Sequence, residues 1–234
     1  STIDTSQPFC ISFWSKPTTN TVGSVCANGT GVGFNIHNDG AGNLNFNNGQ
    51  SGDCTVPDAF VVGVWKHYVC IISNGNTVVY IDGSQVYNQQ SNVSYSATIN
   101  SLSIGSYDSN QLMFNGQIDA VGIWDRALTE AEVSALYNSG NGLELQGASS
   151  VNLTTGLQAF YKLSDLTDSS GNNKTLINNG NVQFASGKIG NAANMQGSQT
   201  LEAQINSISS SSSGSYSCWV NRNGIVEFPL CLIK

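Results

Sequence analysis

The sequence predicts an all-β protein, an antiparallel two-sheet sandwich with one short helix, and three observations support this prediction. Short runs such as "FCISFWSKP" and "NTVVYIDGSQVY" alternate in strand-like fashion. Turn residues separate them, and Asp82-Gly83 is the dipeptide that two-residue hairpins prefer. Only residues 129–139 have helical periodicity. Two packed sheets are the natural way to bury so many strands.

The strands are expected in a definite order along the chain. "FCISFWSKP" is closed by Pro17, "VGVWKHYVCIIS" and the hairpin around Asp82 follow, and "SLSIGSY" adds a further strand. "QIDAVGIW" is almost entirely apolar, which predicts a strand buried on both sides with Asp119 as its one charge. A buried carboxylate needs a partner, either hydrogen bonds to a neighbouring turn or a bound cation.

The helix has its own start and stop signals in "LTEAEVSALYNSG". Thr129 is placed to cap the helix while Glu132 reaches back to its amide. Leu128 and Val133 are spaced as a hydrophobic staple, and Gly140 is expected to end the helix. The pattern predicts a short helix lying on an apolar surface.

Charge and hydropathy exclude several classes of partner. The 234 residues include 8 basic and 15 acidic side chains, a net charge of −7. No basic patch is available to neutralise phosphates, so nucleic acid and anionic membranes are not expected as partners. The sequence contains no run of 18 apolar residues and no leader peptide, so we expect no membrane insertion and interpret the chain as a mature or excised soluble segment.

The six cysteines contain no C-x-x-C pair, and only two histidines accompany them, so zinc is not expected. Cys26 and Cys54 flank a Gly/Asn-rich segment that holds His37, which is assigned to a loop. A disulfide between them, at the base of a hairpin, fits an oxidising extracellular setting; buried free thiols are the alternative. His67 is interpreted as a structural histidine. The low lysine content also indicates an extracellular or surface-exposed location.

Four motifs together carry a resemblance to a known family. "ISFWSKP", "WKHYVCIISNGNTVVYIDG", "LSIGSYD" and "FNGQIDAVGIWDRALTEAEVSALYN" occur in this order. They resemble the laminin-G-like jelly-roll domains of the concanavalin A-like lectin and glucanase superfamily, over roughly residues 9–140. The resemblance implies a jelly-roll sandwich.

The family's opening motifs occur after the domain that they should precede. "GLQAFYKL", "DSSGNN" and "GKIGNAANMQG" lie within residues 156–197. We therefore predict a sandwich lacking its opening strands over residues 1–142, a linker over 143–155, and opening strands over 156–234. These strands complete the first domain, complete a neighbouring copy, or begin a truncated second repeat.

The superfamily includes hydrolases, but the chain is not expected to be an enzyme. Laminarinase-type members carry two glutamates on one strand, as acid and nucleophile. No pair here forms an E-x-D-x-x-E strand, and two of the glutamates serve the helix start. The glutamates are Glu130, Glu132, Glu144, Glu202 and Glu227.

Calcium is the cofactor that the resemblance suggests. In pentraxin-like relatives the loop after the "SIG" strand supplies carboxylates, which here implies Asp108. In other relatives the "DSSGNN" turn lies near the buried aspartate, which implies Asp119, Asp168 and Asn172 as ligands. The alternative is that these are turn residues bonded to their own backbone.

Glycan binding is likewise implied by the family. Tyr107, Tyr87 and Tyr95 lie near loops with polar neighbours and are candidates to stack on a sugar ring, with half-buried packing as the alternative. The predicted function is a non-catalytic extracellular adhesion or structural module. The alternatives are a glycan-binding lectin and a strand-exchanging subunit of a surface filament, with glycans, surface proteins or further copies of the chain as partners.

Overall fold

The structure is a computed structural model, and it confirms the two-sheet antiparallel sandwich with one short helix. It describes residues 3–4, 8–28, 34–47, 52–73, 75–91, 98–99, 101–107, 111–143, 152–196 and 198–204. The described elements, in chain order, are β1 (Ile3–Asp4), β2 (Phe9–Pro17), β3 (Val22–Ala27), β4 (Asn35–Asp39), β5 (Leu44–Asn47), β6 (Gly52–Val56), β7 (Lys66–Ser73), β8 (Asn76–Ile81), β9 (Ser84–Gln90), β10 (Thr98–Ile99), β11 (Ser101–Ile104), β12 (Gly116–Trp124), α1 (Glu130–Tyr137), a 3₁₀ turn (Asn138–Gly140), β13 (Leu157–Tyr161), β14 (Ile177–Asn179), β15 (Gln183–Ser186), β16 (Asn191–Met195) and β17 (Thr200–Gln204).

The strands form two large sheets. Sheet I has the order β15-β16-β12-β2-β7-β8-β9, with β13 also paired to β12. Sheet II has the order β14-β17-β11-β3-β4-β5-β6. The pairings between these strands are antiparallel, and β1 and β10 form a separate small pair. Neighbours in space are often distant in sequence, as expected for a jelly roll.

The main core lies between the sheets, and a second apolar cluster covers the other face of sheet I. Phe9, Ile11 and Phe13 of β2 belong to the main core. Trp14, on the opposite face of β2, packs in the second cluster together with Leu136 of the helix. The prediction that β12 is buried on both sides is therefore confirmed, and β2 is buried in the same way, because helix α1 shields the face that would otherwise meet water.

The helix begins as predicted but ends differently. Thr129 and Glu132 form a complete capping box. At the other end the prediction that Gly140 stops the helix is wrong, because Asn138 already adopts a left-handed conformation with φ of 49°. Its side-chain Nδ2 donates to the Gly142 carbonyl at 2.7 Å, which stabilises this turn. Asparagine tolerates the left-handed region better than most residues do.

The predicted hairpin around Asp82-Gly83 is confirmed. β8 and β9 pair up to Ile81 and Ser84, and the two residues between them have φ of 51° and 77°. Positive φ at both central residues is the requirement of a type I′ turn, which matches the twist of the flanking strands.

Two different strands pair with the same edge of strand β12. β16 pairs with its first part and β13 with its last part, while β2 runs along the other edge. The ladder between β12 and β2 is interrupted at Ala120 and Val121, and Ala120 has an unusual φ of 47°. Within residues 152–204, β13, β15 and β16 join sheet I, and β14 and β17 join sheet II.

Candidate functional site

A row of polar side chains crosses the outer face of sheet II. Register places Ser24 beside His37, His37 beside Asn45, and Asn45 beside Thr55. The intervening residues of β4 and β5, such as Ile36, face the main core. His37 and Asn45 are half-buried and Thr55 is exposed, so three neighbouring strands present polar groups to solvent.

Two buried residues support the imidazole in this row. The Ser24 hydroxyl donates to Asn35 Oδ1 at 2.6 Å, and Asn35 Nδ2 donates to His37 Nδ1 at 3.1 Å. Ser24 and Asn35 are 0% and 3% exposed. Because an amide nitrogen can only donate, Nδ1 is the acceptor and the proton of the neutral ring lies on Nε2. The relay therefore fixes the tautomer of His37.

Neighbouring polar groups are also held in place. Thr55 Oγ1 donates to Asn45 Oδ1 at 2.8 Å. Asp39 organises the turn between β4 and β5, where its carboxylate accepts bonds from the Ala41 and Asn43 amides. Burial raises the pKa of Asp39, but hydrogen bonds from Ala41, Asn43 and Asn45 together outweigh it and hold the pKa below its ordinary value. The orientations of the groups in the row are thus fixed by hydrogen bonds to neighbouring side chains.

The electrostatics of this face are those of a neutral to acidic surface. Partial burial lowers the pKa of His37 below its ordinary 6.5, and the nearby Asp39 carboxylate opposes this shift only in part. The strands of sheet II contain no lysine or arginine, whereas Asp39 and Glu202 on these strands are acidic. His37 is therefore favoured in its neutral form.

The assignment of His37 to a loop was wrong. His37 lies within β4, and the following polar run contributes β5. The alternation in "NIHND" and "LNFN" was the available signal, with Ile36 and Phe46 as the inward positions. The abundance of asparagine and glycine hid it, since these residues are depleted in strands.

The buried Asp119 contacts a turn of the 152–204 segment. Its Oδ2 accepts hydrogen bonds from the backbone amides of Lys188 and Ile189, at 2.9 and 2.8 Å. Asp119 is 0% exposed. A shallow recess beside it, also lined by Phe160 and Lys162, leaves no room for a water molecule. The carboxylate therefore acts here as an anchor for the turn before β16.

Asp168 and Asn172 lie together in the turn after β13. Asp168 accepts bonds from the backbone amides of Phe160, Ser170 and Lys174, and also from the Ser170 hydroxyl. Asn172 Nδ2 donates to the carbonyls at 157 and 158. Within the described ranges no three His, Cys, Asp or Glu residues cluster as metal ligands. Asp108 lies outside the described residues.

Calcium binding stays a prediction, and the thermal stability of the chain with and without calcium tests it. If Asp119, Asp168 or Asp108 is a ligand, calcium should raise the melting temperature of the chain, because an ion that binds only the folded state stabilises it by mass action. Calorimetry with calcium and then with a chelator measures the shift. An unchanged melting temperature would leave these aspartates as turn and core residues only.

The predicted disulfide between Cys26 and Cys54 is wrong in this structure, in which both are buried free thiols. Cys26 is in β3 and Cys54 in β6, and register aligns them through Ile36 and Phe46 of the two intervening strands. Three strand spacings amount to about 14 Å. A disulfide requires Cα atoms within about 7 Å. The intervening segment forms two core strands, and burial stabilises it instead.

The described thiols should resist modification in the folded chain. Burial raises the pKa values of Cys10, Cys26 and Cys70 far above the ordinary value, so the reactive thiolate is suppressed. Brief alkylation under native conditions should leave these residues and Cys54 unlabelled, whereas alkylation in denaturant should label all four. Peptide mass spectrometry reads the sites. A Cys26–Cys54 crosslinked peptide from a non-reduced digest would contradict the structure.

The candidate tyrosines are placed only in part. Tyr87 lies in β9 of sheet I, half-buried, and packs against the main core. Tyr107 is half-buried after β11, and its amide bonds to the Gln111 carbonyl at 3.0 Å. Tyr95 lies outside the described residues. Stacking of any of the three on a sugar stays a prediction.

Comparison with solved structures gives three informative relatives of the fold. A putative carbohydrate binding protein from Bacteroides ovatus has a TM-score of 0.51 at 16% identity, over 88% of this chain and 55% of that one. A native heptameric SAP-like pentraxin from Limulus polyphemus has a TM-score of 0.44 at 21% identity, over 58% and 72%. The Ruminococcus gnavus IT-sialidase CBM40 bound to alpha2,3 sialyllactose has a TM-score of 0.46 at 15% identity, over 58% and 92%. This chain thus spans about half of the Bacteroides protein.

The two antiparallel sheets with their jelly-roll pairing define a lectin-like β-sandwich. A family model described as the concanavalin A-like lectin/glucanases superfamily matches residues 1–134, and the chain belongs to this superfamily. The search of curated proteins gives no match. Among the described residues, no helix has the length and apolar character needed to cross a membrane.

Proposed function

We propose that this chain is a non-catalytic carbohydrate-binding module that works at an extracellular surface, in adhesion to glycan-bearing partners. Membership of the lectin/glucanase superfamily supports carbohydrate as the ligand class. The observation that carries the proposal is the oriented polar row on sheet II, with His37, Asn45 and Thr55 on adjacent strands. Pre-oriented amide, hydroxyl and imidazole groups suit ligands that present many hydroxyls.

The described carboxylates support binding rather than hydrolysis. Glu132 caps the helix and forms a bidentate ion pair with Arg126, with contacts of 2.6 and 2.9 Å. Glu202 is the only glutamate in β17, and none of the described strands contains two glutamates. Ser12 Oγ and His67 Nε2 are 2.8 Å apart, but both residues are only 2% exposed, so a substrate has no access to them.

A glycan array tests this function. The purified chain, labelled on a surface lysine and imaged at equilibrium without washing, should bind a defined subset of glycans on the array, and an excess of the same glycan in solution should compete. Incubation with the bound glycan should release no shorter product, as chromatography would measure. Absence of binding across the array would contradict the carbohydrate-binding function and favour a structural module.

A second candidate function is a strand-exchanging subunit of a surface filament. One specific observation favours it, namely that the strands within 152–204 belong to both sheets although they follow the rest of the sandwich in sequence. If the same strands paired with a neighbouring copy instead, the contact would be heterologous. Such a contact builds an open filament unless the copies close into a ring. Light scattering of the purified chain measures its mass in solution. A single monomer mass would contradict the filament, whereas a series of masses that increases with protein concentration would support it.

A further inference from the structure

We propose that His37, Asn45 and Thr55 form the contact row for a neutral oligosaccharide, with Asn35 and Ser24 as positioning residues that fix the imidazole as a hydrogen-bond donor. This inference rests on the proposed carbohydrate-binding function. It goes further by naming the surface, the role of each residue and the class of glycan.

The buried relay is the first argument. Ser24 and Asn35 are buried beside His37 on the same face of the sheet; the Ser24 side chain is bonded to Asn35, and the Asn35 side chain is bonded to His37 Nδ1. Polar groups removed from water in this way cost free energy unless they are satisfied. An apolar pair would fill the same space without that requirement. The relay leaves the Nε2–H of His37 as the group available to a ligand on the outer face.

The row offers complementary groups along its length. His37 supplies a donor, Asn45 adds an amide, and the Thr55 oxygen can accept while its proton remains on Asn45 Oδ1. Adjacent strands lie about 4.8 Å apart, so the three residues span about 10 Å. A ligand with hydroxyls distributed over more than one sugar ring is able to contact all three strands together.

Charge selects the class of glycan. Recognition of a carboxylate or sulfate normally uses arginine or lysine. The strands of sheet II contain neither, and the acidic residues Asp39 and Glu202 lie on them. The negative charges of sialylated and sulfated glycans would therefore be repelled by this surface, whereas neutral hexose chains carry no charge to be repelled.

The row also predicts a weak, calcium-independent interaction. Phe46 is the one aromatic residue in the strands of sheet II, and it faces the core, so these strands provide no stacking platform. Hydrogen bonds exchanged with water add little net affinity, so three such contacts correspond to a Kd of roughly millimolar order. The proposed contacts are made by neutral side chains, so a chelator should leave binding intact.

Paired alanine variants test the contact row. His37→Ala and Asn45→Ala should each weaken binding of the best neutral glycan on the array by about fivefold to tenfold. Asn88→Ala is the matched control, because Asn88 is an exposed strand asparagine on sheet I. It should bind as the unaltered chain does. Circular dichroism melting checks that each variant is folded.

The positioning role has a separate readout in the free protein. Nitrogen-detected NMR of the unaltered chain should find neutral His37 protonated on Nε2. In Asn35→Asp a carboxylate would face Nδ1 of His37, so the pKa of His37 should rise. The affinity for the neutral glycan should then change as the pH crosses this raised pKa. Asp39 is the other charged group near the ring, and it is unchanged in this comparison.

The outcomes separate this inference from the proposed function. If no glycan binds, both fail. If glycans bind but His37→Ala and Asn45→Ala bind equally well, if only anionic glycans bind, or if chelation abolishes binding, the contact row is overturned while the carbohydrate-binding function stands. A neutral His37 protonated on Nδ1 would overturn the relay even where Asn35→Asp does not fold.

Discussion

A chain that ends at residue 142 should fail to form a stable sandwich. It would lack β13 and β16, which pair with one edge of β12, and β17, which pairs with β11. Side chains such as Phe160, Tyr161 and Leu201 are at most 1% exposed in the complete chain, so their loss opens both the main core and the second apolar cluster. Burying one such side chain contributes about 1.5–3 kcal/mol. A whole domain is stable by only about 5–15 kcal/mol, so the deletion should unfold it.

The measurement compares residues 1–142 alone, the full chain, and residues 1–142 mixed with a separate 143–234 fragment. Thermal melting by circular dichroism and size-exclusion light scattering report folding and mass. Recovery of a cooperative transition on mixing would show that these strands are able to act in trans, as the filament alternative requires. If residues 1–142 melt cooperatively as a soluble monomer, the donated strands are unnecessary and the domain prediction is wrong.

Acidification should destabilise the folded chain through His67. Its ring centroid lies 5.0 Å from that of Trp14 in a tilted arrangement and 6.2 Å from that of Tyr137 in a stacked one. Its Nε2 lies 2.8 Å from the Ser12 hydroxyl. Burial lowers the pKa of His67 from 6.5 to about 3. The folded state thus favours the neutral ring, while the unfolded chain takes up a proton below pH 6.5.

The sign and size of this effect follow from linkage. The contribution of His67 is fully present above pH 6.5 and falls by about 1.4 kcal/mol for each pH unit between 6.5 and about 3. His67→Gln keeps an amide to bond Ser12 without a titrating group. Urea unfolding at pH 7 and pH 4.5 should therefore show a smaller pH-dependent loss in His67→Gln than in the unaltered chain. Equal losses in the two proteins would assign the acid sensitivity to other groups.

Local patterns were enough to predict much of the fold. The capping box of Thr129 with Glu132 and the hairpin at Asp82-Gly83 involve residues within a few positions of each other, so their physics is contained in the sequence. The helix end was missed because both Asn138 and Gly140 suit a left-handed position. The side-chain bond of Asn138 to the Gly142 carbonyl is part of the observed turn.

The candidate sites depended more strongly on distant contacts. Cys26 and Cys54 were paired because they flank one segment, yet sheet II places two strands between them. Asp119 was correctly expected to be buried, but its observed partners are the amides of Lys188 and Ile189, about 70 residues away in the chain. A local sequence pattern does not predict a hydrogen-bond partner that lies so far away in the chain.

Composition and local sequence patterns were sufficient to predict the all-β class, the family, the capped helix and the acidic, weakly charged character of the chain. These properties follow from periodicity, turn chemistry and composition, which act over a few residues or over the whole chain. Tertiary structure alone decided which side chains meet. Strand register set His37, Asn45 and Thr55 side by side and separated Cys26 from Cys54. Register is fixed by the common core that all strands must share, and that core exists only once the two sheets have packed.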